Sequence, residues 1–369
     1  MKAFITITLL FIIVLLSGCL GSNNSSVAPK LAFAYVVGQG ANSVEAFTVT
    51  SIGDLTFQPI SNFPTNPRPV SMALHPSKNF LYVPNLTSNT VSGYNINHTT
   101  GVLSPIGTAQ PPTPVQSQPV AVGINSTGSF LYVLNQGSAS ISVFNIDPTR
   151  GLLTEIAGSP FATVANPQSM AVSPNSGFLY VGNGALGTIS GFAITSSGAL
   201  VQLGGSPFSA GASSTLAGIT IDPKGQFLYA ADSVNNTIVS FSIGANGVLA
   251  GVAGSPFAAG TTPVAIAVDA TNSFLYSANQ GSNDVSAYTI NAGVLTPIAG
   301  SPFAVETAVA VPQPSFLTVD VTNTFLYVAN FGTSNISAFG INAKSGALGL
   351  VTDSPFPQSV QPLWIVTTE

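Results

Sequence analysis

A short phrase centred on tyrosine returns seven times along this chain, and nothing else in the sequence limits its fold so tightly. Aligned on that residue, the copies fall at Tyr35, Tyr82, Tyr132, Tyr180, Tyr229, Tyr276 and Tyr327, at intervals of 47 to 51 residues. Self-similarity at this period marks a propeller, a solenoid or an array of stacked units. One period holds four short apolar segments, clearest in Pro263-Val-Ala-Ile-Ala-Val268, Phe274-Leu-Tyr-Ser277, Asp284-Val-Ser-Ala-Tyr-Thr-Ile290 and Val294-Leu-Thr-Pro-Ile298. In the third, Val285, Ala287 and Thr289 alternate with Ser286, Tyr288 and Ile290, a period of two that suits a strand and not a helix. Asn- and Gly-bearing turns such as Asn279-Gln-Gly-Ser-Asn283 and Asn291-Ala-Gly293 separate them, as tight hairpins require. Four antiparallel strands repeated seven times predict an all-β, seven-bladed β-propeller.

The chain ends support a closed ring. The first copy, Leu31-Ala-Phe-Ala-Tyr-Val-Val37, begins at a second strand, and the sequence finishes on an orphan first strand, Pro362-Leu-Trp-Ile-Val-Thr-Thr368. Pairing these two completes the first blade and removes the free edge at the seam. An open solenoid would gain nothing from that split.

Ahead of the repeats, Met1-Lys2 precedes an apolar run from Ala3 to Leu16 and then Leu16-Ser-Gly-Cys19. The run falls short of the roughly 20 residues of a membrane span and has the charged start and small-residue end of a secretory signal. Its last four residues resemble the lipobox of bacterial lipoproteins, whose cysteine becomes the lipidated N-terminus. Cys19 is the single cysteine in the chain, so no internal disulfide competes for it. The expected organisation is a signal peptide at 1–18, a lipidated Cys19 with a flexible polar tether at 19–30, and one propeller at 31–369. The protein is therefore expected to be exported and lipid-anchored in the cell envelope, at the outer membrane or cell surface.

Only 5% of residues are charged, the formal net charge is -5, and the seven Lys and Arg are scattered. No basic patch is available to neutralise phosphates, which argues against a nucleic-acid partner. The phrase Gly-Ser-Pro-Phe recurs at 158–161, 205–208, 254–257 and 300–303, with Asp353-Ser-Pro-Phe356 as a fifth form. Proline donates no amide, so the phrase is read as the end of each outermost strand, with its Phe dropped between blades. The Asn that closes the tyrosine phrase (Asn85, Asn135, Asn183, Asn279, Asn330) is replaced by Gly38 in the first copy and Asp232 in the fifth. Its side chain is expected to bond the backbone of the following turn.

The phrases Tyr82-Val-Pro-Asn85, Tyr132-Val-Leu-Asn135, Tyr180-Val-Gly-Asn183 and Tyr327-Val-Ala-Asn330, with proline-led first strands, resemble the bacterial lactonase-type seven-bladed propellers. That family includes 6-phosphogluconolactonases of the propeller kind, carboxymuconate cyclases and exported surface proteins of unassigned role. The resemblance covers the whole mature chain, and the motifs that carry it are structural.

In a propeller the loop leading into each innermost strand opens onto one mouth of the central channel, a usual place for a site. Those positions hold Arg68, Gln118, Asn166, Ser214, Thr262, Gln313 and Gln361, six neutral groups and one cation, and they are the candidate ligand-binding residues. Asn66-Pro-Arg-Pro-Val70 resembles a proline-arginine-x-histidine phrase of the lactonase family, in which arginine holds an anionic group and histidine moves a proton. Here no histidine follows Arg68. Of the two histidines, His75 stands in a first hairpin turn where other blades have Asn125, Ser173, Asp222, Asp269 or Asp320, which indicates turn capping, and His98 is read as solvated. Glu306, in the long 305–314 connection, is the one carboxylate expected to lean towards the mouth, so Arg68 and Glu306 form the candidate catalytic pair.

No Gly-x-Ser-x-Gly elbow, zinc-spaced histidine pair, phosphate loop or calcium loop is present, and no metal or cofactor is expected. Two functions lead, beside a third, structural one in which low charge lets the outer edges pair with other copies in a surface layer or adhesion module. The first is an envelope scaffold whose neutral mouth binds a protein or glycan. The second is a lactonase acting on a small anionic lactone held by Arg68.

Overall fold

A computed structural model describes residues 32–107, 113–306, 311–358 and 360–368 of the chain. These residues form seven antiparallel sheets, arranged as the blades of a propeller. Blade 1 carries Ala32–Gly38, Ser43–Val49 and Leu55–Pro64 and takes Pro362–Thr367 as its innermost strand. At that seam Tyr35 lies opposite Val366, and Val37 opposite Trp364. Thr368 completes the pairing: its backbone N–H donates to the Phe33 carbonyl at 2.8 Å, and its hydroxyl accepts from the Phe33 N–H at 2.9 Å. Blades 2 to 7 occupy 69–114, 119–162, 169–209, 216–258, 263–304 and 314–357.

Period-two alternation sends the two faces of each sheet into different neighbours. Leu81 and Val83 on the second strand of blade 2 pack with Tyr35, Val37 and Val44 of blade 1. Phe80 and Tyr82, one step out of phase, pack with Leu131 and Val133 of blade 3. The core is thus a ring of layers between blades, and the seven tyrosines of the repeated phrase, all buried, each lie in one of them.

The tyrosine phrase acts as a latch. The hydroxyls of Tyr35, Tyr82, Tyr180, Tyr276 and Tyr327 donate to the carbonyls of Gly101, Gly151, Gly247, Gly346 and Gly53, each in the third-to-fourth hairpin of the next blade round the ring. Burial pushes these phenols well above their usual range, so they remain neutral donors. The phenylalanine two residues earlier seats on the same glycine. Gly151 has φ +68°, and a Cβ there would come within 2.6 Å of the Phe80 ring.

The outermost strand differs from its expected form, because it is broken in two. In blade 3, Leu153–Glu155 pairs with one end of the third strand, and Phe161–Ala162 pairs with the other end. Ser-Pro-Phe therefore starts the second half of the strand instead of ending the first. Across the break the serine hydroxyl accepts the otherwise idle third-strand amide: Ser159 from Val143 at 3.0 Å, and Ser206, Ser255, Ser301 and Ser354 from Gly191, Ser240, Ala287 and Ala338 at 2.9 Å. All five Ser-Pro bonds are cis. The phenylalanines pack between blades as expected, Phe208 between blades 4 and 5 and Phe356 between blades 7 and 1.

Blade 2 has a reduced innermost strand, Ala73–Leu74 plus an isolated Pro69–Asn85 bridge. Pro84 explains the loss. Its carbonyl faces the first strand and accepts from Val70 at 3.2 Å, so the missing amide is one that would have donated to that strand.

Candidate functional site

The residues that precede the innermost strands form a collar at the channel mouth, and their backbone is unusual. Arg68, Gln118, Asn166, Thr262 and Gln313 have φ of +60°, +52°, +56°, +53° and +50°, although each precedes a proline, where extended backbone is the rule. Side chains of the neighbouring blade offset the strain. Asn42, Asn89, Asn236 and Asn283, from the second-to-third hairpin of the blade before, each accept the collar N–H: from Arg68, Gln118 and Thr262 at 2.8 Å and from Gln313 at 2.9 Å. The collar carbonyls accept in turn from their own blade, Arg68 from Leu86 and Gln118 from Gln136, both at 2.8 Å. Arg68, Gln118, Thr262 and Gln313 are thus fixed from two blades, whereas Asn166 keeps the same backbone with Ala139, not asparagine, at the matching hairpin position.

Arg68, Gln118, Asn166, Gln313 and Gln361 are exposed, and Thr262 is half-buried. Ser214 lies elsewhere: it is 2% exposed, and Thr215 holds the matching ladder position, since Leu216 pairs with Asp232 as Pro263 pairs with Asn279. Gly187 stands where four of the other hairpins supply an asparagine, and the Thr215 N–H goes to the Asp232 carboxylate at 3.1 Å. Burial opposes the charge on Asp232, but bonds from Asn235, Ser214 and Thr215 prevail and hold its carboxyl below the usual value. Ser214 is engaged in supporting that carboxylate.

The Asn residues of the tyrosine phrase are also engaged, and not with turn backbone as the sequence suggests. Their side-chain amides reach to serines on the third strand, Ser92, Ser142, Ser190 and Ser286 at 2.9–3.0 Å and Ser337 at 2.7 Å. In blade 5 that serine position holds Val239, which removes the acceptor an asparagine needs and suits Asp232, which accepts from backbone instead. In blade 1 the Val360 side chain fills the space a Cβ on Gly38 would take.

Arg68 makes no ion pair or side-chain hydrogen bond with another described residue. Glu306 does not meet it: Glu306 Oε1 accepts from the Thr333 hydroxyl of blade 7 at 2.7 Å, and blade 1 stands between that blade and Arg68. The histidines behave as turn residues. His75 is buried, its Nδ1 accepts from the Ser77 N–H at 3.1 Å, and its Nε2 then donates to the Gly128 carbonyl of blade 3 at 2.9 Å. His98 lies exposed against Asn79 Oδ1 at 2.8 Å. Asp222, Asp269 and Asp320 cap the same hairpins through backbone N–H groups. Cys19 and the signal and tether residues before Leu31 lie outside the described residues.

Beneath the collar, all seven innermost strands enclose a cavity of about 290 Å³. Its wall is mostly apolar, with Val70, Val120, Met170, Ile219, Val264 and Leu363 among its residues, and it includes no ionisable side chain. At the seam Phe316 stacks on Trp364, ring centroids 3.6 Å apart and planes 20° from parallel. One polar group was missed by reading only the residue before each strand. Gln168 lines the cavity one turn of the pleat below Asn166, and a Cβ on Gly184 would approach the Gln168 Nε2 at 2.8 Å and the Asn166 Nδ2 at 2.7 Å. Two amides therefore converge where a glycine hairpin leaves room for them. The sequence carries a signal for this, a polar Gln168 where the other first strands have Val70, Val120, Ala217, Val264 and Leu363 or the smaller Ser315.

A closed ring of seven such blades, with a collared channel, is the architecture of a lactonase-type propeller, and comparison places the chain there. It belongs to the family described as lactonase, seven-bladed beta-propeller, whose signature matches residues 24–116 and 205–313, more than half of its length. Among solved structures, one from Bacteroides fragilis, provisionally named a 6-phosphogluconolactonase, shares 17% identity over 94% of this chain and 100% of that one, with a TM-score of 0.79. The periplasmic gluconolactonase of Pseudomonas aeruginosa shares 16% over 91% and 99%, with a TM-score of 0.75. A Lactobacillus plantarum protein shares 18% over 92% and 99%, with a TM-score of 0.73. No curated protein matches the chain. Identities this low establish a common fold and leave the chemistry to the residues present.

Proposed function

We propose that this member of the lactonase family is a lipid-anchored envelope propeller that binds an uncharged, hydrogen-bonding partner, a glycan or a protein segment, at its collared mouth. The observation that carries this reading is the cavity wall: seven strands contribute to it, and none brings an acid, a base or a cation. General acid-base catalysis needs a positioned titratable group within reach of the substrate. Besides Arg68 the collar supplies amides and a hydroxyl, most of them on a backbone fixed from two sides, which lowers the entropy lost on binding. Export and anchoring rest on the lipobox-like Leu16-Ser-Gly-Cys19. Replacing Cys19 by Ala should move the protein from the membrane fraction to the soluble one, and an unchanged membrane pool would reject the anchor.

A second reading is favoured by family membership and by Arg68, exposed at the mouth and without an ion pair among the described residues: hydrolysis of a small anionic lactone. One experiment separates the two. The mature protein and its Arg68→Ala variant are assayed on a panel of charged and uncharged lactones. If the second reading holds, kcat/KM for an anionic lactone falls about tenfold to a hundredfold in the variant, the loss expected for one charge-assisted hydrogen bond. Turnover at background by both proteins is the outcome expected of a binding propeller, and turnover retained by the variant would reject Arg68 as the anion site.

A further inference from the structure

We infer that the cavity below the collar is a binding site for a small uncharged molecule with an apolar body and one hydrogen-bonding pole, and that Gln168 with Asn166 holds the pole. The inference rests on the reading of the mouth as a binding site and narrows what enters it. At about 290 Å³ the cavity is at the small end of the range for ligand pockets. A polar occupant needs several partners, as a buried water needs two to four. The side chains of the wall offer few: the Ser315 hydroxyl is already bonded to the carbonyls of Pro362 at 3.0 Å and Ala329 at 3.1 Å. Ser169 Oγ is turned away towards the second strand, where a Cβ on Gly182 would come within 2.6 Å of it. That leaves the Gln168 amide, which makes no hydrogen bond to another described side chain, beside the Asn166 amide.

The chemistry follows from this imbalance. An anion would give up its hydration to meet aliphatic side chains and no cation inside the channel. A sugar with hydroxyls on every side would find few side-chain partners and would depend on the free backbone edges of the innermost strands. A molecule with an aliphatic or aromatic body replaces poorly held water with apolar contact, while its carbonyl or hydroxyl meets the amide pair. Phe316 and Trp364 both line the cavity, and Trp364 is the single tryptophan of the chain.

That tryptophan also reports on the site. Emission of the mature protein is followed against three probes: δ-decalactone, which is uncharged with an alkyl tail, glucono-δ-lactone, which is uncharged with many hydroxyls, and 6-phosphogluconate, which is anionic. The expected result is a saturable change in Trp364 emission with δ-decalactone alone. Gln168→Ala should weaken that binding about tenfold, and Ala217→Leu, which narrows the channel from blade 5, should abolish it. Unfolding midpoints of both variants, compared with the parent, show whether either has failed to fold. No emission change with any probe up to its solubility limit would overturn the inference. So would binding of glucono-δ-lactone by the parent and by Gln168→Ala alike, in which case the collar reading stands and the channel assignment falls.

Discussion

Asp232 is the residue at which this repeat departs most from its own rule, and the departure has a measurable sign. Five blades place asparagine there against a third-strand serine, and blade 5 has lost the serine to Val239. A carboxylate, which only accepts, is satisfied by the Thr215 and Asn235 N–H groups and the Asn235 side-chain amide at 2.7 Å. Its folded pKa lies below the ordinary carboxylate value of about 3.9. The stabilisation is therefore complete above that pH and drains away as pH falls through the folded value. Asp232→Asn should be less stable at pH 7 and should lose less stability between pH 4 and pH 2. Urea midpoints at the two ends of that range test this, and parallel losses in parent and variant would refute it. The substitution of Asn by Asp was legible in the sequence; its reason was not, because the compensating Val239 is recognised only once the strands are paired.

Blade against blade, the latch of Phe, Tyr and Gly carries a prediction that separates ring packing from hydrogen bonding. Tyr82→Phe removes one buried bond to Gly151 and should cost about 1 kcal/mol. Gly151→Ala forces a side chain into left-handed backbone and into the Phe80 ring, and should cost about 2–4 kcal/mol. Denaturant unfolding of the two variants checks the order, and equal costs would put the latch energy in the hydroxyl rather than in the ring seat. The repeated tyrosine marked the strands from sequence alone. Its partner stayed hidden because Tyr82 and Gly151 lie 69 residues apart in the chain.

For the molecule as a whole, the seam matters most. Removing residues 361–369 leaves Ala32–Gly38 as an unpaired inner edge and takes away the wall that Leu363 and Trp364 give the channel. Open edges of this kind pair with other chains. The truncated protein should elute as aggregate where the intact one is a discrete species by size-exclusion chromatography. A truncated chain with the parent's elution and unfolding midpoint would show that ring closure contributes little. A ring closed by its last strand was readable from the displaced first strand, since strand order within a blade is local and the mismatch at the two ends has one economical solution.

What the sequence determined by itself was everything with a local period: strands from alternation, turns from Asn and Gly, seven units from the returning tyrosine, and a neutral mouth broken only by Arg68. What the tertiary structure decided was everything that requires two blades at once. Four of the left-handed collar residues are met by an asparagine from the preceding blade, and where Gly187 stands in its place the Thr215 N–H goes to Asp232 of its own blade. Glu306 looked free to reach Arg68 along a long connection, yet bonds to Thr333. The channel's polar spot, Asn166 with Gln168, exists because Gly184 leaves room above it. Alternation places a side chain on a face, but the partner it meets there comes from another blade, brought into contact by closure of the ring.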